Sequence, residues 1–304
     1  MLELSIEERT FHSWDGAPIF YRAWRPEAPQ KRAVVLFHGG HEHSGRFTTV
    51  VQELNLPGVS FFGWDARGHG RSPGPRGYAS SFQDLVRDAW AFLQEVRSRY
   101  RVRLEDMALM GHSEGSVIAS ALVLAHQPPV RAMVLGSPAL AIRLYAPFAL
   151  PLLKGWARVR PHASISSFVI ARMLTHDAQE RALRNSDPLI ARPIGIRVLV
   201  DLLEAGRGVI ANAGRIHTPT LVLSAGTDWV VKLSAQKAFF ANLGSPRKEH
   251  IVFPGFYHEV FHETDRHLPI RRARDFLAGC LAVPTLPEPA PHLIPLSAHT
   301  PTIP

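Results

Sequence analysis

Three residues of this 304-residue chain have the types, order and flanks that nucleophilic acyl transfer requires. Gly111-His112-Ser113-Glu114-Gly115 is a G-x-S-x-G pentapeptide. It follows the apolar run Met107-Ala108-Leu109-Met110 and precedes the helix-like Val117-Ile118-Ala119-Ser120-Ala121-Leu122. Between a strand and a helix, this pattern lifts a serine hydroxyl to the edge of a sheet. Small residues at 111 and 115 let strand and helix approach closely, and the helix N-terminus puts positive potential where an oxyanion develops. A serine hydroxyl needs a base, and the base needs an orienting acid. Asp228 ends the small-residue turn after Leu221-Val222-Leu223, and His258 lies in the loop after His250-Ile251-Val252-Phe253. The expected roles are Ser113 as nucleophile, His258 as base and Asp228 as its partner. The neighbouring candidates fit less well. His250 falls inside a strand, His262 and His267 lie further into the following segment, and Asp265 comes after the histidine and breaks the order.

The oxyanion also needs two backbone donors. One is the amide of Glu114, next to the nucleophile. The other is expected in His38-Gly39-Gly40-His41-Glu42-His43-Ser44-Gly45, where glycine lets the backbone approach a substrate, and Gly40 is the expected donor. The three histidines of this loop have no matching ligand spacing elsewhere in the sequence, so neither a metal nor a cofactor is expected.

Residues this far apart must be gathered by a sheet. Runs such as Ala33–Phe37, Val59–Phe62, Met107–Met110, Ala132–Leu135, Leu221–Leu223 and His250–Phe253 are short and almost wholly apolar, as strands buried on both faces should be. Ahead of them, alternating Leu2, Leu4 and Ile6, a turn at Trp14-Asp15-Gly16-Ala17 and then Ile19-Phe20-Tyr21 predict a hairpin. Ser81 resembles the cap of a helix whose apolar stripe is Phe82, Leu85, Val86, Ala89, Phe92, Leu93 and Val96. Strands alternating with helices imply an α/β fold with a mostly parallel sheet flanked by helices, whose ligands bind at the carboxyl ends of the strands. The rhythm breaks between 141 and 215, a proline-marked, helical stretch without a clear strand, read as a lid inserted over one face of the sheet. Within it Leu144, Phe148, Leu150 and Leu152 suit either an acyl-chain tunnel or the lid's own core. The expected organisation is a core over 1–140 and 216–283, the lid over 141–215, and an extended tail over 284–304, which holds seven prolines.

Composition narrows the function further. The formal net charge is +8, but the arginines are scattered and no nucleic-acid-binding motif accompanies them, so no nucleic-acid partner is expected. Weak attraction to an anionic membrane surface is the more useful consequence. The single cysteine, Cys280, excludes an intramolecular disulfide framework. The start of the chain lacks the basic and apolar regions of a signal peptide, and the run Leu144–Leu153, with Pro147 and Pro151, is far short of a span. These features predict a cytoplasmic protein and leave its oligomeric state open.

With those residues in view, the sequence resembles the monoacylglycerol lipase and lysophospholipase group of α/β-hydrolases, the serine aminopeptidase-like hydrolases. The resemblance rests on His38–Phe47, on Trp64-Asp65-Ala66-Arg67-Gly68-His69-Gly70-Arg71-Ser72, on the Gly111–Gly115 pentapeptide, and on Asp228 and Tyr257-His258-Glu259. It runs from about Thr10 to Leu281, and Asp187-Pro188-Leu189 is similar to part of that family's lid. The resemblance implies an α/β-hydrolase fold, the triad Ser113, Asp228 and His258, and the oxyanion amides of Gly40 and Glu114. It implies a small-molecule or lipid ester substrate, with Glu42 and Arg46 as polar residues at the entrance to a head-group pocket. His69 and Asp65 are expected to shape a loop rather than act in catalysis. Some bacterial hydrolase domains similar to this one are fused to a methyltransferase, which keeps a non-hydrolytic or partner-dependent module as an alternative. Other acyl chemistry, such as that of a thioesterase, acyltransferase or peptidase, stays open too. Two departures stand out: Glu114 occupies the position after the nucleophile where the family usually has Met, and Ser116 replaces a common glycine. A carboxylate beside the oxyanion hole would repel developing charge unless it points away or is paired.

Overall fold

The computed structural model describes residues 3–282, so the proline-rich stretch 284–304 and Leu2 lie outside the described residues. The chain opens on a hairpin of β1 (Leu4–His12) and β2 (Pro18–Pro26), turned by Gly16 at φ 81°. Then come β3 (Ala33–Phe37), α1 (Phe47–Leu54), β4 (Ser60–Trp64), α2 (Phe82–Tyr100), β5 (Met107–His112), α3 (Glu114–His126) and β6 (Ala132–Gly136). The next stretch carries α4 (Ala149–Val159), β7 (Ser164–Ser166), α5 (Ala178–Ser186), β8 (Pro193–Gly195) and α6 (Ile196–Asn212). The chain then returns to β9 (Thr220–Ala225), α7 (Leu233–Asn242), β10 (Lys248–Phe253) and α8 (His267–Leu281).

Eight strands form one sheet in the order β1-β2-β4-β3-β5-β6-β9-β10, antiparallel across β1, β2 and β4 and parallel from β4 onward. The apolar runs are continuous because alternate side chains enter two separate cores. Ala33, Val35 and Phe37 face the layer with α2, α3 and α6, while Val34 and Leu36 face α1 and α8. In β5, Leu109 enters the first core and Met110 the second. The expected stripe on α2, from Phe82 to Val96, is buried, and the Ser81 side chain accepts from the Asp84 amide as its cap. The fold is an α/β-hydrolase fold.

Two expectations change. The stretch 141–215 shows no clear strand in the sequence, yet β7 and β8 pair antiparallel there, and their three-residue length explains why no alternation is visible. Its last helix, α6, places Val198, Leu202 and Val209 in the first core, so that stretch ends within the core layer rather than above it. Ahead of α6, the inner side of α4 packs Leu153 and Ala157 on Ile196 and Val200.

Candidate active site

The turn between β5 and α3 exists because two glycines allow it. A Cβ on Gly115 would overlap the carbonyl oxygens of Phe37 and His38, and one on Gly111 would lie 2.6 Å from the Gly115 backbone. Ser113 between them sits at φ 51°, ψ −115°, a conformation that a non-glycine residue adopts only when its surroundings enforce it. The enforcement comes from β6: the Ser113 amide donates to Gly136 O at 2.8 Å, and Ser113 O accepts from Ala139 N at 3.1 Å. The strained turn thus holds the hydroxyl beyond the carboxyl end of β5.

Asp228 follows β9 and His258 follows β10, so the parallel register brings both to the same end of the sheet. The His258 ring lies between them, with Nε2 2.8 Å from Ser113 Oγ and Nδ1 2.8 Å from Asp228 Oδ2. The other oxygen of Asp228 accepts from the amides of Val230 and Val231 at 2.8 and 2.9 Å. Burial alone would raise the Asp228 carboxyl, but the His258 ring and these amides hold it below its ordinary value. It therefore stays an acceptor and fixes the imidazole with its bare nitrogen toward the serine.

The competing residues are placed elsewhere. His250, inside β10, bonds Ser224 Oγ at 2.8 Å, and His262 donates through Nε2 to Arg46 O at 3.0 Å. Asp265 and His267 are exposed. His38 accepts from the Ala66 amide at 2.9 Å, and His43 meets Asp187 at 2.8 Å, tying the loop after β3 to the segment beyond α5. Asp65 is buried, where it accepts from the amides of Ser44 and Arg71 at 2.7 and 2.8 Å and shapes that loop.

One cavity opens over Ser113. Gly39, Gly40 and Glu114 form its floor with His258, and its apolar wall includes Ile142, Ile165, Val169, Leu174, Leu199 and Val230. Gly40 and Glu114, the expected oxyanion donors, line the cavity with Ser113. Glu114 is the first residue of α3, so its amide has no acceptor one turn earlier in the helix. Leu144, Phe148, Leu150 and Leu152, which suited either an acyl-chain tunnel or the lid's own core, do not line this cavity. Leu144 and Leu150 line a separate cavity with Leu203, while Phe148 and Leu152 are exposed. Side chains from opposite ends of the inserted stretch converge on Ser113 instead, and an apolar residue that lines a pocket has the same sequence pattern as one that fills a core.

Glu42 and Arg46, expected at the entrance to a head-group pocket, sit in a buried ionic network. Glu42 reaches the cavity, but it is buried and accepts from the Gly39 amide at 3.2 Å. Arg46 stands behind it, 2.9 Å from Glu180, 3.4 Å from Glu259 and 3.8 Å from Glu42. Arg184 lies 3.2 Å from Glu259 and 3.4 Å from Glu42. Two arginines and three carboxylates thus join α5, the loop after β3 and the residue next to His258. Glu180 and Arg184 were not among the candidate residues, and Glu259 entered only as the neighbour of His258. Their signal was an i, i+4 acid–base pair on one side of a polar helix, together with the acid that follows His258.

The family model for serine aminopeptidase, S33 (Hydrolase_4), matches residues 28–265. The chain is 41% identical over 276 residues to uncharacterized protein YnbC of Escherichia coli, which covers 90% of this chain; the chain spans 47% of YnbC's length. It is 28% identical to a monoacylglycerol lipase of Mycolicibacterium smegmatis, over 88% of this chain and 95% of that one. In fold it is similar to the crystal structure of Paleococcus ferrophilus monoacylglycerol lipase, with a TM-score of 0.75, 24% identity, and coverage of 91% of this chain and 99% of that one. With the family model covering most of the chain and an α/β-hydrolase sheet beneath it, this chain belongs to the serine aminopeptidase S33 family of α/β-hydrolases, the monoacylglycerol lipase-like serine hydrolases.

Proposed function

We propose that this chain hydrolyses carboxylic esters through an acyl-enzyme on Ser113, with acylglycerol-like or lysophospholipid-like esters as substrates. The observation that carries the reading is the hydrogen-bonded line from Ser113 through His258 to Asp228, at 2.8 Å for each step, beneath an apolar cavity. His258 Nε2 takes the Ser113 proton as Oγ attacks the ester carbonyl, and Asp228 stabilises the imidazolium that forms. The carbonyl oxygen becomes an oxyanion between the amides of Gly40 and Glu114. His258 then gives its proton to the departing alcohol, and in a second half-reaction it activates water to release the acid. The apolar wall suits an acyl chain, and the M. smegmatis relative is named for a monoacylglycerol substrate.

A lipid substrate must be reached, and the surface beside the cavity suits that. Phe148, Leu152, Trp156 and Val159 form an exposed stripe along α4, with the exposed Arg158 and Arg160 beside it. Tyr145, also exposed, packs edge-on against Phe168 at 5.8 Å, and Phe168 lines the cavity. An apolar stripe flanked by arginines fits shallow contact with an anionic membrane surface. Among the described residues no helix is long and apolar enough to cross a membrane.

Turnover of p-nitrophenyl esters from short to long chains, together with a monoacylglycerol and a lysophospholipid, tests the reading. Ser113→Ala should lower kcat by at least about 10³-fold. Unchanged hydrolysis in that variant would sink the mechanism. A preference for short esters alone would remove the lipid substrate and leave the esterase. A second reading, a module that works beside a further domain, is favoured by YnbC being about twice as long. Fluorophosphonate labelling of Ser113 in this chain alone separates the two.

A further inference from the structure

One feature of the cavity has no part in the mechanism above. Glu114 lends its amide to the oxyanion hole, but its side chain also lines the cavity and is only 6% exposed. Its Oε1 is buried and bonds no described protein group, while Oε2 lies against Gly40, 3.1 Å from where a Cβ on that glycine would stand. A second cavity-lining residue, His41, also has a buried ring nitrogen, Nδ1, without a partner among the described residues. Elsewhere the wall around Ser113 is largely apolar. A buried polar atom left without a partner is costly, so one placed this way on a pocket wall is open to a hydrogen bond from whatever enters the pocket.

We propose that the Glu114 side chain is a specificity-determining group that hydrogen-bonds a hydroxyl carried by the substrate one or two carbons from the reacting ester. The proposal rests on the ester-hydrolase reading of Ser113 and adds a polar substituent to its substrate. Burial pushes the Glu114 carboxyl up to about 7, so below that pH it is a neutral acid that both donates and accepts. A hydroxyl does the same, and the two can exchange hydrogen bonds without charge. An ammonium group would ionise Glu114 beside the oxyanion. A carboxylate would sit near Glu42 and Glu259. The titratable groups sharing the cavity are His41 and Glu42 of the loop after β3, His112 of β5, Arg184 of α5, and His258 and Glu259 after β10. Burial is the cause that raises Glu114. Above about 7 its carboxylate opposes the oxyanion next to Gly40, so turnover should fall as pH rises through that value.

The test uses two matched pairs: p-nitrophenyl butyrate against p-nitrophenyl 3-hydroxybutyrate, and propyl butyrate against 2-hydroxyethyl butyrate. In at least one pair the wild type at pH 6 should favour the hydroxylated ester by about tenfold in kcat/KM, because the ester without the hydroxyl leaves the buried oxygen unmatched. Glu114→Met should bring that ratio close to one. Glu114→Gln, whose amide still donates and accepts, should keep the ratio and lose the alkaline fall. A wild type that labels with fluorophosphonate but shows equal kcat/KM in both pairs overturns the proposal alone. So does an alkaline fall that persists in Glu114→Gln, a measurement that holds even if Glu114→Met does not fold. A wild type that cleaves none of the four esters and does not label overturns the hydrolase reading and the proposal with it.

Discussion

Asp228 is held by more than its histidine: two backbone amides fix one of its oxygens, leaving the other no choice of partner. Asp228→Asn keeps that geometry but can turn an N–H toward His258 Nδ1. The ring must then present a hydrogen, not a lone pair, to Ser113. Ester turnover should drop by roughly 10⁴-fold with little change in melting temperature; an activity within tenfold of wild type would remove Asp228 from the proposed triad. Glu114 acts on stability in the opposite way. Its folded value of about 7 lies above its ordinary 4.5, so between these pH values the folded chain binds a proton that the unfolded chain has released. The stability attached to the neutral group is therefore present below about 4.5, declines as pH rises toward 7, and is absent above it. Glu114→Gln should melt higher than the wild type at pH 8, with the gap closing at pH 4; thermal scans at the two pH values check it, and a gap of equal size at both would contradict it. At this scale, the meeting of Ser113, Asp228 and His258 was legible because each follows a strand and is of a residue type that little else in its loop matches. The polar groups around them were not. Nothing in the spacing tells that Arg46 would turn away from the cavity toward Glu180, or that Glu114 Oε1 would find no partner among the described residues.

The helix α5 does more than cover the cavity, because it carries Glu180 and Arg184 into the buried ion cluster beside His258. Arg184 is the cation nearest both Glu42 and Glu259, and all three side chains are almost wholly buried. Arg184→Ala would leave those carboxylates short of a counter-charge away from water. A buried pair broken on one side costs about 3–5 kcal/mol. The expected result is a clear fall in melting temperature, partly recovered in Arg184→Lys, and weaker turnover because Glu259 adjoins His258. A melting temperature unmoved by Arg184→Ala would mean that the cluster does not tie α5 to the core. The strands β3, β4, β5, β6 and β9 were legible because both their faces are covered, which makes each a short apolar block. The edges were less so. The run expected over Val59–Phe62 is realised as Ser60–Trp64, since Tyr21 and Arg22 of β2 pair with Trp64 and Gly63. In β7 and β8 three residues cannot establish a period. The cavity wall had no period to show, since Ile142, Ile165, Leu174 and Leu199 come from separate segments and meet only in the folded chain.

Two of the scattered arginines, Arg158 and Arg160, stand where an apolar surface is exposed. A net charge of +8 spread evenly would favour many partners weakly, whereas Arg158 and Arg160 stand next to the exposed stripe of α4. On that stripe Phe148 is 80% exposed, Leu152 70% and Val159 80%. The opposite side of α4 is already used, through Leu153 and Ala157, against α6. Charge would bring the molecule to an anionic bilayer, and the stripe would supply the contact that persists once it arrives. Full burial of a large apolar side chain is worth about 1.5–3 kcal/mol, so partial burial of two should change partitioning by roughly tenfold or more. The double variant Phe148→Asp/Leu152→Asp is therefore expected to cosediment about tenfold less with vesicles containing phosphatidylglycerol. The wild type should prefer these vesicles to phosphatidylcholine alone and lose the preference in high salt. Because neither side chain lines the Ser113 cavity, hydrolysis of a water-soluble ester should be unaffected, while turnover of a monoacylglycerol held in vesicles should fall with the binding. Equal sedimentation of the wild type and the double variant would separate the charge from the stripe and leave the substrate to reach Ser113 from solution.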